Sequence, residues 1–227
     1  GGATACVALS GDGRLVASGH YDGVAHVWDA ATGALLHRLK ASDSGVRALA
    51  FSPDGRRLAA SAGEPRPARG EVVVWDLADG RPVATYRAHG EVVDAVAFLD
   101  DRRIASAGGD GKVHVWDSAT AGRLMILEGH GEGVRRLALS GDGRTLASGS
   151  DDGTVRLWDA ATGGPGPVLA ADAEVLALAY SDDGRWLAAA VRDGSILLWD
   201  PRRPEPPDAS TATPATCSPS SSARTAA

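Results

Sequence analysis

Cysteine is nearly missing from this 227-residue chain: Cys6 sits in a patterned stretch and Cys217 in a Pro/Ser-rich tail. Two such residues exclude a disulfide framework, and a reducing, cytoplasmic setting is the expectation. No apolar run approaches the ~18–20 residues of a membrane helix. No basic start followed by an apolar stretch marks a secretory leader. The first residue is Gly1, not Met, so a processed, trimmed or partial chain is expected. Positive charge is in deficit, with 23 Lys and Arg against 29 Asp and Glu. Nucleic acids and membrane headgroups are polyanions that select basic stripes, so neither is an expected partner. The 44% hydrophobic and 23% charged content is that of an ordinary globular protein, which excludes a wholly disordered chain.

Aromatic residues are few, at 5%, but their placement is regular. Five of the six Trp precede Asp: Trp28-Asp29, Trp75-Asp76, Trp116-Asp117, Trp158-Asp159 and Trp199-Asp200, at intervals of 47, 41, 42 and 41. Upstream of each pair runs one phrase, cleanest from Val134 to Gly163 (VRRLALSGDGRTLASGSDDGTVRLWDAATG). Val134, Leu137 and Leu139 read as a first strand. Ser140 to Gly143 form a hairpin turn in which Gly143 supplies a positive φ. Thr145 to Gly149 form a second strand, Asp152-Gly153 a tight turn, and Thr154 to Trp158 a third strand. AATG (160–163) turns the chain again, and Val168-Leu169 start a short fourth strand. Such short connections pair neighbours antiparallel, as a meander. A small sheet apolar on both faces is unstable alone and must stack on the next copy.

The terminal Trp-Asp, the period near 41 and the Asp-Gly turns resemble WD40 repeats, which build β-propeller blades. The resemblance covers Gly1 to Asp200. It implies an all-β propeller of five four-stranded antiparallel blades, about 1–40, 41–87, 88–128, 129–169 and 170–200, with 201–227 as a disordered tail. It also implies a buried hydrogen-bonded set per blade: a His before the first strand, a Ser or Thr in the second, the Asp of the second turn, and the Trp. The set is complete in the third copy (His89, Ser106, Asp110, Trp116) and in the fourth (His130, Ser148, Asp152, Trp158). Its recurrence in one frame points to a structural rivet and away from a hydrolase triad, which needs one exposed nucleophile.

The other copies depart. The first has Ser18, Asp22 and Trp28, but its His position falls one residue before Gly1. The second has Ser42 and Ala60 at the His and Ser positions and no matching Asp before Gly70. The fifth keeps Asp193 and Trp199 but has Ala171 and Ala189. Five inner triplets are matched by only four outer strands (35–39, 83–86, 124–127 and 168–169). The Pro-rich stretch after Asp200 cannot pair as a central strand. An incomplete or open ring is expected, the last blade lacking its outer strand, with possible self-association through its open faces.

Three groups are candidate contacts for a protein or peptide partner. An insertion in the second copy, GEPRPARG (63–70), reads as a loop carrying Arg66 and Arg69. The residue after the first-strand Val is charged in three copies, as Arg47, Asp94 and Arg135, at a position that resembles the family's central rim. Arg192 joins them on the fifth copy. His26 and His114, two residues before their Trp, read as lone packing or surface residues. No His/Cys/Asp cluster has metal-ligand spacing, no glycine-rich phosphate loop precedes a helix, and no cofactor or catalytic residue is expected. From 201 on, 21 of 27 residues are Pro, Ala, Ser or Thr, a composition that buries too little to order itself.

These features point to a non-catalytic interaction scaffold. One alternative is the sensor region of a larger bacterial signalling protein, a kinase or signalling ATPase, since the Ala-, Arg- and Gly-rich composition fits a high-GC genome. A propeller hydrolase would need acidic or histidine residues converging from the inner strands, where only Asp94 stands.

Overall fold

The computed structural model describes residues 3–65 and 68–203. The expected tail beyond Arg203, and Arg66 and Pro67, lie outside the described residues. Nineteen strands and no helix are found among the described residues.

Blade 1 holds β1 (Thr4–Leu9), β2 (Leu15–His20), β3 (Val24–Asp29) and β4 (Leu35–Lys40). Blade 2 holds β5 (Val46–Phe51), β6 (Arg57–Pro65), β7 (Ala68–Asp76) and β8 (Pro82–His89). Blade 3 holds β9 (Val93–Phe98), β10 (Arg103–Gly108), β11 (Val113–Asp117) and β12 (Arg123–Leu127). Blade 4 holds β13 (Val134–Leu139), β14 (Thr145–Ser150), β15 (Thr154–Asp159) and β16 (Pro165–Ala170). Among the described residues blade 5 holds three strands, β17 (Val175–Tyr180), β18 (Leu187–Val191) and β19 (Ile196–Trp199). Every sheet is an antiparallel meander in sequence order, as the short connections require.

The turns follow from local chemistry. Gly143 has φ 70°, so the turn between β13 and β14 closes without strain. The Ser140 hydroxyl donates to Asp142 at 2.6 Å, and Asp142 accepts from the Arg144 amide at 3.1 Å. The same Ser–Asp clasp recurs at Ser10–Asp12, Ser52–Asp54 and Ser181–Asp183.

The core lies between blades. Trp75 packs with Val27 and Leu39 of blade 1, Trp116 with Val74 and Tyr86 of blade 2, Trp158 with Val115 and Leu127 of blade 3, and Trp199 with Leu157 and Leu169 of blade 4. Each of these four Trp therefore closes on the preceding blade. A Cβ at Gly149 would lie 2.5 Å from Val175 Cγ1, so β14 comes close against the next inner strand. The inner strands adjoin in the order β1, β5, β9, β13, β17, and among the described residues β17 forms no comparable junction with β1. Val7 (69% exposed) and Leu9 (66%) on one end, and Ile196 (64%) on the other, mark the two uncovered faces. The ring is open.

One expectation is corrected. The insertion in blade 2 is no irregular loop: β6 and β7 continue pairing through Gly63↔Gly70, Glu64↔Arg69 and Pro65↔Ala68, so the added residues extend a hairpin. Continued strand pairing lets the described part of the insertion satisfy its own backbone groups.

Candidate functional site at the inner rim

Two polar systems are built on this frame, one buried within blades and one at the rim. In blade 4, Trp158 Nε1 donates to Ser148 Oγ at 2.8 Å, Ser148 Oγ lies 2.8 Å from His130 Nε2, and His130 Nδ1 lies 3.0 Å from Asp152. With the indole as donor, a consistent chain runs from Trp N–H to Ser, from Ser O–H to His Nε2, and from Nδ1–H to the carboxylate. Burial opposes the charge on Asp152, yet hydrogen bonds from Thr154, the Gly131 amide and His130 hold its carboxyl down at about 2. Burial also lowers the His130 pKa despite Asp152, which keeps the ring neutral as the chain requires.

Blade 3 repeats the chain: Trp116 to Ser106 at 3.1 Å, Ser106 to His89 at 2.8 Å, and His89 Nδ1 to Asp110 at 2.8 Å. Ser106 and Ser148 are both 0% exposed and already accept an indole N–H. Neither hydroxyl can reach a substrate, so the geometry is that of a rivet.

His26 and His114 are not lone residues. His114 is buried, its ring stacked on His89 with centroids 4.0 Å apart, and its Nδ1 lies 2.9 Å from the Tyr86 hydroxyl of blade 2. Burial first, then His89, pushes its pKa down to about 4. In blade 1, Trp28 donates to Ser18 at 3.2 Å, and His20 Nε2 lies 3.0 Å from both Ser18 Oγ and His26 Nδ1. At Ser18, His20 from the end of β2 thus takes the place that His89 and His130 take in blades 3 and 4. The register between copies gave no sign of this, because His20 stands where blade 4 has Ser150. Tyr86 was also missed, although it stands where the other outer strands place Leu39, Leu127 and Leu169 opposite their third strands.

Folding brings His89, Asp110 and His114 together, with one potential ligand atom from each within 4.8 Å. Their sequence spacing hid this, since they come from a strand end, a turn and a strand. The arrangement does not suit an ion: both His89 nitrogens are engaged, and the two rings lie 20° from parallel, so their in-plane lone pairs run side by side.

The rim system joins three of the predicted contact residues. Arg47 NH1 lies 2.9 Å from Asp94 Oδ1, and Arg135 NH1 lies 2.8 Å from Asp94 Oδ2. Arg135 is gripped on its other side by Asp151, with Nε 2.8 Å and NH2 2.7 Å from Oδ2. Those Asp151 bonds first, with Asp94, raise the Arg135 pKa above its ordinary value. Charges expected to meet solvent or a partner singly instead form one chain, Arg47–Asp94–Arg135–Asp151, across three blades. Both guanidinium groups stay 42% exposed while Asp94 is buried. Asp151 was missed; it occupies the turn position that holds Tyr21 in blade 1 and Arg192 in blade 5, and aligning the copies would have exposed that column.

A cavity of about 430 Å³ opens beside this chain, lined at its mouth by Ala5, Tyr21, Gly45, Gly63 and the arginines. Strands β1, β5, β9 and β13 all present their starts to it. Arg192 lies apart and pairs with Glu174 at 2.6 Å. Arg69 is placed on the β6–β7 extension next to Gly63, and Arg66 lies outside the described residues.

The sequence profile described as WD domain, G-beta repeat matches residues 2–29, 33–76, 80–117, 122–159 and 166–200. The chain belongs to the WD40 family. Among WD40 relatives, WD repeat and SOCS box-containing protein 1 of Danio rerio is 38% identical over 108 residues, 47% of this chain and 25% of that protein. Centriole proteome protein 16 of Chlamydomonas reinhardtii is 47% identical over 88 residues, 37% of this chain and 4% of its own length. Autophagy-related protein 16 of Arabidopsis thaliana is 32% identical over 130 residues, 54% of this chain and 24% of that protein. The match spans a quarter or less of each of these relatives. All three are eukaryotic and none is described as a signalling kinase or ATPase, so the bacterial sensor alternative gains no support from them. WD40 repeats support a protein-interaction scaffold in general.

Proposed function

We propose that this chain is a non-catalytic platform whose partner-binding face is the inner rim. The observation that carries the reading is the convergence of four inner strands on one cavity that holds Arg47, Asp94 and Arg135. Rigid strands fix those groups before a partner arrives, so little loop-ordering entropy opposes binding. Tyr21, 68% exposed at the mouth, adds an aromatic anchor of the kind that dominates interface energies. The β6–β7 extension starts at Gly63 in the cavity wall, and the candidate contacts Arg66 and Arg69 of the same insertion would enlarge the contact; Arg192 would mark its far edge. Protein or peptide partners in the cytoplasm fit this chain better than nucleic acid or a membrane, whose extended polyanionic surfaces would also meet the acidic body around the rim, given the net charge of -6.

The test is affinity capture with the wild-type chain, Tyr21→Ala and the double variant Arg47→Ala/Arg135→Ala, identifying partners by mass spectrometry. Partners held by the wild type and lost from the variants are expected. An unchanged partner list in both would remove the rim from the reading.

A second contact mode is favoured by the uncovered end faces. Among the described residues β19 has no outer strand, and Val7, Leu9, Ile196 and Leu198 are exposed, so association of copies through these faces is proposed. Sedimentation velocity of the wild type against Leu9→Lys/Ile196→Lys checks it. A concentration-dependent larger species that disappears in the variant is expected, and a wild type that stays monomeric up to about 100 μM would refute it.

A further inference from the structure

We propose that the rim cavity receives a carboxylate of an acidic peptide, held by the free side of the Arg47 guanidinium. This rests on the reading of the rim as the partner face and names what that face binds.

The two arginines are not equivalent. Arg135 is consumed by the protein, its Nε and NH2 on Asp151 and its NH1 on Asp94. Arg47 meets only Asp94, through NH1. Its Nε–H and NH2 edge has no acceptor among the described residues, and that edge is the fork that matches a carboxylate in two parallel hydrogen bonds. Asp94 fixes the opposite side of the group, so the fork is aimed without a ligand present. Both Asp94 oxygens are spent, one on each arginine, which leaves the fork unblocked by that carboxylate.

Charge points the same way. The cavity wall contains Arg47, Arg135 and Arg136; Asp94 in the wall and Asp151 behind Arg135 offset two of these charges, which leaves a recess with one positive charge in excess in a chain of net charge -6. An anion is drawn there and a cation is not, although the rest of the molecule favours the cation. The remaining wall is Ala5, Tyr21, Ser44, Gly45, Val46 and Gly63, which offers backbone groups and an aromatic face to the neighbours of the bound carboxylate. Those surfaces are of use to a peptide and of none to a free small anion.

The experiment uses three fluorescein-labelled hexapeptides, hexaglutamate, hexalysine and a Ser/Gly alternate, titrated by polarisation against the full chain. Hexaglutamate is expected to bind at least tenfold tighter than hexalysine, against the overall charge. Arg47→Gln is expected to weaken hexaglutamate at least tenfold, Arg47→Lys to a lesser extent, and Arg81→Gln, an exposed arginine away from the cavity, to leave it unchanged. Free glutamate and inorganic phosphate at the same concentration are expected to compete poorly. Hexaglutamate binding equally to the wild type and to a folded Arg47→Gln, or full competition by phosphate, overturns the proposal. Partner capture that needs Tyr21 but tolerates Arg47→Gln also overturns it while leaving the rim reading standing. Capture indifferent to both positions removes the two together.

Discussion

Blades 1 and 3 are written in the same phrase and end in very different surroundings. β9 of blade 3 is buried at five of its six positions, whereas β1, with an equally apolar sequence, is exposed at four of six. Trp116 is 0% exposed and stacked on Tyr86 at 4.9 Å, 4° from parallel, while Trp28 is half-buried, with no preceding blade packed on it among the described residues. The polar chains differ too: blade 3 takes its His from the preceding connection, and blade 1 recruits His20 from its own second strand. A blade is thus only half specified by its own residues, and the neighbour supplies the other half.

The largest test of this contrast is the tryptophan itself. Trp116→Ala is expected to cost about 3–5 kcal/mol in urea unfolding, as deep aromatic truncations do. Trp28→Ala should cost less than half as much; equal losses would break the comparison. His114 comes next. Its folded pKa of about 4 lies below the ordinary 6.5, so its contribution is present above pH ~6.5 and is lost as pH falls toward 4. Stability should drop by roughly 2–3 kcal/mol across that window from His114, and His114→Gln should make the slope shallower, the remainder coming from His130, whose pKa burial also lowers. If the pH profile of the variant matches the wild type, the buried ring is not the titrating group.

His130→Ala should cost about 1–3 kcal/mol by stranding Ser148 and Asp152. Amide exchange should be slowest in blades 3 and 4, whose chains are complete; faster exchange there than in blades 2 or 5 would contradict the rivet. The smallest effect is expected at the rim. Arg47→Gln should change stability by less than about 0.5 kcal/mol, because a partly exposed ion pair contributes little. A loss well above that would make Arg47 a structural residue and weaken its assignment to ligand.

Much of the fold was legible because its signals are local. Apolar alternation, Ser-x-Asp-Gly turns and Trp-Asp at a period near 41 each act within a few residues, and five copies reinforce one another. The rivets of blades 3 and 4 were legible for the same reason, being anchored to that frame. The Tyr86–His114 bond was not, since it crosses from one blade's outer strand to the next blade's third. The role of His20 escaped because a ring from another position reached the same point in space. At the rim, the residue types were readable but their partners were not: Arg47 and Asp94 are 47 residues apart, and Asp94 and Arg135 are 41.

The amino-acid order alone decided that this chain is a β-meander repeated five times with a Trp closing each third strand, because hairpin turns and strand alternation act at short range. Only the stacking of blades decided which charges neutralise one another, which guanidinium edge stays open and which apolar faces remain uncovered. Those outcomes depend on the rotation from blade to blade, a quantity that no single repeat encodes and that emerges when neighbouring sheets pack.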